Sequence, residues 1–105
     1  MKHGMLVSLC MCLLILFTGC GHREVMVDSG TYEGTILKIN AAETEIYVAL
    51  DESRVIELYF TESTSITRGQ NEAAFKDLIK GQSVRVEVKR TEKGMIPLHV
   101  SILEP

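Results

Sequence analysis

The sequence predicts an all-β domain: a small five-stranded barrel with one short helix between its third and fourth strands. Two observations predict it. From Thr31 onward, apolar residues recur at every second position in runs broken by polar or glycine-containing turns, which is the spacing of strands with one buried face. One stretch alone, Asn71 to Ile79, leaves that period for a helical one.

The first strand is read from Tyr32, Gly34 and Ile36, which alternate with polar residues, while Leu37 and Ile39 continue on the other parity. A parity switch within a strand points to a bulge, and Gly34 lies close by. Asn40 to Thr44 is polar and reads as a turn. Ile46, Val48 and Leu50 form a second strand, Asp51-Glu52-Ser53 turns the chain, and Ile56, Leu58 and Phe60 form a third. Thr61 to Gly69 reads as a polar connection interrupted by Ile66. Asn71 is a good N-cap for a short amphipathic helix through Ala73, Ala74, Phe75, Leu78 and Ile79, and Gly81 suits the position beyond its end. Val84, Val86 and Val88 give a fourth strand with Arg85, Glu87 and Lys89 opposite. Thr91-Glu92-Lys93-Gly94 is a hairpin loop. Ile96, Leu98, Val100 and Ile102 are expected to form the inward face of a fifth strand, with Pro97 on its other face marking an edge.

Three strands, a helix and two strands is the order of the oligonucleotide/oligosaccharide-binding (OB) barrel. In that arrangement Phe75 and Leu78 plug the open end. Thr64-Ser65-Ile66-Thr67-Arg68, Phe75-Lys76-Asp77-Leu78 and Gly81-Gln82-Ser83-Val84-Arg85-Val86 together resemble a family of small bacterial envelope domains on OB-like barrels. The resemblance covers most of the chain after the leader. It rests on core apolar residues, a turn glycine and a helix, so it implies fold and compartment rather than chemistry.

The N-terminus is separate from the barrel. Lys2 and His3 precede an uncharged apolar run from Met5 to Phe17, closed by Thr18-Gly19-Cys20. A basic start, an apolar stretch and a small-residue exit are the parts of a secretory signal. The run is too short to span a bilayer, which takes about 20 apolar residues. Leu16-Phe17-Thr18-Gly19-Cys20 resembles the lipobox of bacterial lipoproteins, with Phe17 where leucine is usual. The resemblance implies diacylglycerol on Cys20, cleavage before it and often acylation of the new amine. Two or three chains on one residue hold a protein where a single chain anchors only marginally. The expected division is a lipoprotein signal peptide over 1–19, a lipidated tether over 20–30 and the barrel over 31–105. Gly21, rather than an aspartate, follows the cysteine. In a two-membrane bacterium that favours the outer membrane, facing the periplasm.

Composition narrows the function. The chain holds 11 basic and 14 acidic residues, and losing Lys2 with the leader makes it more acidic. A nucleic-acid partner is not expected, because phosphate binding rests on clustered Lys and Arg. Cys10 and Cys12 leave with the signal, so Cys20 has no intramolecular partner. No paired nucleophile and base stand at an identifiable spacing; the chain reads as non-enzymatic, with no cofactor and no metal site. Periplasmic copper chaperones on OB barrels use Met and His from strands, and soft ligands suit Cu(I). Met95 and His99 share parity on the last strand, and His22 and Met26 lie in the tether. Four residues along a strand is about 13 Å, too far for one ion.

A binding face is the better candidate. If Ile46, Val48 and Leu50 point inward, Tyr47 points out; if Ile56, Leu58 and Phe60 point inward, Tyr59 likewise points out. Tyr47 and Tyr59 then stand opposite or diagonal on the face where OB barrels usually bind. They are placed to stack on a sugar or to meet an envelope protein, or simply to brace the sheet as an aromatic pair. The expected function is a lipid-anchored binding or scaffold module. The alternative is a periplasmic carrier of copper or a small ligand.

Overall fold

The computed structural model describes residues 21–103; the leader and the lipidation site at Cys20 lie outside the described residues. Eight strands and one 3-10 turn follow in order: β1 (Arg23–Glu24), β2 (Gly30–Asn40), β3 (Glu45–Ala49), β4 (Arg54–Tyr59), β5 (Ser65–Arg68), β6 (Asn71–Glu72), the turn Phe75–Asp77, β7 (Ser83–Thr91) and β8 (Gly94–Leu103). The long strands β2, β3, β4, β8 and β7 close a five-stranded barrel. β2 pairs with β3 through its second half and with β7 through its first. β3 pairs with β4, β7 with β8, and the parallel bridge Leu58–Met95 joins β4 to β8. This is the connectivity expected of an OB-like barrel.

Alternation in the sequence places the core. Ile36, Ile46, Val48, Ile56, Leu58, Val84, Val86, Val88 and Val100 are all buried in one cluster. Each such side chain contributes about 1.5–3 kcal/mol by leaving water, opposed by the conformational entropy of the ordered chain. The expected bulge in β2 is present: the β2–β3 register shifts between Ile36 and Lys38, leaving Leu37 unpaired. Gly34 permits the bend. A Cβ there would lie 2.3 Å from the Ala49 carbonyl oxygen and 2.7 Å from Val48 Cγ1, so β2 can pass this close to β3 only without a side chain.

Three local expectations are corrected. The first concerns the helix. Asn71 does not cap one; Asn71 and Glu72 pair back on Arg68 and Thr67, and the Ala73 amide donates to the Ile66 carbonyl. Extended backbone therefore continues to Ala74. Too few residues remain before Gly81 to offset helix nucleation, and only the turn at Phe75–Asp77 forms. Its plug role survives: Leu78 is buried, and Phe75 meets Phe60 edge-on at 5.0 Å. Ile79 instead faces solvent, 59% exposed.

The second correction is β5. The polar stretch holds a strand there, parallel to the end of β8, and Ile66 is its buried residue. The third is the face of β8. Met95 and Pro97 point inward, whereas Leu98 is exposed. The β7–β8 register jumps from Val88–Pro97 to Glu87–His99. Leu98 is the bulged residue, and it turns Val100 and Ile102 back to the core.

The segment after Cys20 also takes part in the fold. β1 pairs in parallel with the start of β4. The Arg23 amide donates to Ser53 O (2.8 Å) and the Val25 amide to Val55 O (2.9 Å). Val25 and Val27 pack against the core.

Candidate functional site

The outer face of β3 and β4 carries the site residues read from the sequence. Register pairs Tyr47 with Glu57 and Glu45 with Tyr59, so the two tyrosines are diagonal neighbours. Tyr59 is 39% exposed and Tyr47 half-buried. Glu57, which sequence reasoning passed over as one of many strand carboxylates, stands between them. Tyr47 donates its hydroxyl to Glu57 Oε2 at 2.9 Å. That bond, reinforced by burial, holds the Tyr47 phenol protonated well above its usual range. Burial, followed by the neighbouring Glu57 carboxylate, also raises Tyr59. On the far side, the Lys38 ammonium lies 5.2 Å from the Tyr47 ring centroid, within cation–π range.

Glu45 is the unusual member of this face. It is only 6% exposed, and no other charged side chain among the described residues is buried to that degree. Asn40 Nδ2 donates to its Oε1 at 3.3 Å. Desolvation, followed by the neighbouring Glu57 and Glu43, raises its carboxyl above the ordinary value. Asp51, in the β3–β4 loop, behaves oppositely. The Ser53 amide, the Arg54 side chain and the Arg54 amide all donate to it. They hold it well below the usual carboxylate range and fix the turn.

The N-terminal segment divides this face into two grooves. One, about 290 Å³, is lined by Glu24, Val25, Met26, Glu57, Tyr59, Lys93, Gly94 and Met95. The other, about 260 Å³, is lined by His22, Glu24, Leu37, Lys38, Tyr47 and Val55. Glu24 borders both, and each groove has one tyrosine in its wall. The contribution of residues 22–26 was hidden in the sequence, because their strand partners, Arg54 and Val55, lie far downstream.

The soft metal ligands do not converge. The bulge at Leu98 puts Met95 inside and leaves His99 half-exposed on the outer surface, where its Nε2 lies 2.9 Å from Thr67 Oγ1. That contact braces β8 against β5. Met26 and Met95 share the first groove, but His22 lines the second. Among the described residues, no three His, Cys, Asp or Glu side chains are grouped to hold a metal ion.

The sequence matches no family profile and no curated protein. The fold is similar to that of a solved structure of a CusF variant with Cu(II) from Escherichia coli. The TM-score is 0.57 at 10% identity, over 78% of this chain and 100% of that one. At this identity the likeness establishes the architecture: a small five-stranded β-barrel of the CusF, OB-like type.

Proposed function

We propose that this protein is a lipid-anchored, non-enzymatic binding module of the bacterial cell envelope, held through Cys20 and presenting the outer face of β3 and β4 to an envelope protein or glycan. The observation carrying this reading is the pair of grooves on either side of Glu24, each walled by one tyrosine. Aromatic faces with a fixed carboxylate and a nearby ammonium offer both stacking and hydrogen bonding, as sugar and peptide ligands require. The lipobox-like segment supplies the anchor. In a two-membrane bacterium the module stands on the outer membrane, facing the periplasm.

The test is the double substitution Tyr47→Ser/Tyr59→Ser. Tyr47 faces Glu57 and Tyr59 faces Glu45 across the strands, and cross-strand pairs contribute about 0.2–1 kcal/mol each, so the barrel stays folded. Binding to an envelope glycan array, or site-specific crosslinking from Lys38 in intact cells, should be abolished. Unchanged binding with a lowered melting temperature would make the tyrosines braces only.

A second reading, a periplasmic carrier of copper or another small ligand, is favoured by the likeness to the copper-containing CusF structure. The residues fit it poorly, since two thioethers share a groove with no imidazole. A Cu(I) titration decides: one-to-one binding lost in Met26→Leu supports a carrier, and no saturable binding removes it.

A further inference from the structure

The residues that follow Cys20 would, as free coil, allow the barrel any orientation. A flexible chain of ten residues has an end-to-end distance of about 18 Å. The structure leaves far less freedom. Arg23 is bonded to Ser53, Val25 to Val55, and the Ser29 hydroxyl accepts from the Arg90 amide at 2.9 Å. Only Gly21 and His22 separate Cys20 from the docked strand. Fully extended, the three links from Cys20 to Arg23 span about 10 Å.

Topology fixes which part of the barrel that short link reaches. β2 and β4 both run antiparallel to β3 between them, so both begin at one end of the barrel. β7 is antiparallel to β2 and therefore finishes at that same end. The β3–β4 loop, the Glu92–Lys93 hairpin tip and the entry of the N-terminal segment are gathered there. The Phe75–Asp77 turn and Ile79 precede β7 and lie at the opposite end.

We infer that the end bearing the β3–β4 loop and the Glu92–Lys93 tip rests against the phospholipid headgroups of the anchoring membrane, with the groove beside Tyr59 opening at the lipid surface. The inference rests on lipidation of Cys20. Arg23 and Lys93 at this end are matched by Glu52 and Glu92, so charge does not select the lipid; the short link does. The apposition should therefore persist in neutral lipid and in high salt, unlike a polybasic contact. The opposite end, with Ile79, is left facing the aqueous compartment.

The experiment uses the processed protein extracted from membranes and reconstituted into phosphatidylethanolamine/phosphatidylglycerol vesicles. Once the leader is removed, Cys20 is the only native cysteine. A fluorophore can thus be placed at Glu52→Cys, Glu92→Cys or Lys80→Cys, one at a time. Lipids carrying a nitroxide on the headgroup should quench the labels at 52 and 92 several-fold more than the label at 80. Ten Gly/Ser residues inserted after Cys20 should erase the contrast. Equal quenching at all three sites without the insertion overturns the inference. Intact mass on the same samples tests the anchor separately. If Cys20 proves bare, the lipoprotein reading fails. The chain from Cys20, coupled at that thiol to a maleimide lipid and carrying the fluorophore on a bio-orthogonal residue at 52, 92 or 80, then gives the quenching contrast, or its absence, that decides the geometry.

Discussion

Replacing Gly34 with alanine probes the tightest backbone approach in the barrel. The new methyl would stand 2.3 Å from a carbonyl oxygen of Ala49, 2.7 Å from a Val48 methyl and 3.1 Å from the Ala49 carbonyl carbon. Unstrained contacts of this kind need more than 3 Å, and two of the three neighbours are main chain, which cannot rotate aside. β3 must move outward by most of an ångström or β2 must lose its bend. Overpacking of a packed interior costs about 1–3 kcal/mol. Stiffening the unfolded chain by Gly→Ala returns about 0.4–1 kcal/mol. The net expectation is a loss of about 1–2 kcal/mol. A domain of this size has a total of roughly 4–12 kcal/mol, so the loss is substantial but survivable. At about 4–8 °C per kcal/mol for a small domain, the melting temperature should fall by roughly 4–16 °C, read by circular dichroism. A melting curve within a degree or two of the parent would refute the steric argument, because it would mean that β3 shifts freely.

Other expectations follow from the same geometry. Thr44 has φ 54°, a left-handed conformation that is costly for a β-branched residue; Thr44→Gly should raise stability by about 0.5–1 kcal/mol in thermal or urea unfolding, after allowing for glycine's extra chain entropy. Val86 is fully buried, and Val86→Asp places an unpaired charge in the core at a cost of several kcal/mol, so the protein should appear in the insoluble fraction. Glu45 has a raised folded-state pKa, so the stability linked to its protonation is complete below its unfolded value and is lost as pH rises through the folded one. Glu45→Gln should accordingly melt higher than the parent at pH 7, with the gap closing as pH falls through the carboxylate range; a gap independent of pH would show that charge at Glu45 is not the cause.

Much of the barrel was legible because strands with one wet face record their orientation in parity. Val84, Val86 and Val88 read directly as core, and the switch between Ile36 and Leu37 announced its bulge. Two kinds of feature were not legible. β5 has a single buried apolar residue, Ile66, among Ser, Thr and Arg, too little for periodicity to register. β8 looked regular because Ile96, Leu98, Val100 and Ile102 alternate without a break. The bulge at Leu98 is imposed by pairing with β7 on one side and β5 on the other, and no local pattern encodes it. The candidate face was partly legible: parity placed Tyr47 and Tyr59 together, while the roles of Glu57, Glu45 and residues 22–26 depend on contacts that only the closed barrel brings about.

The sheet order runs from β1 at one margin to β6 at the other. Both marginal strands are two residues long, and their members, Arg23, Glu24, Asn71 and Glu72, are all exposed and charged or polar. An unpaired strand is an invitation to a neighbouring chain, and it becomes more pressing as molecules crowd into two dimensions. Short margins studded with polar and charged side chains give an incoming strand too few amides to grip and water to displace. If copies of this protein share a membrane at high density, the barrel is already protected against zipping edge to edge into a continuous sheet.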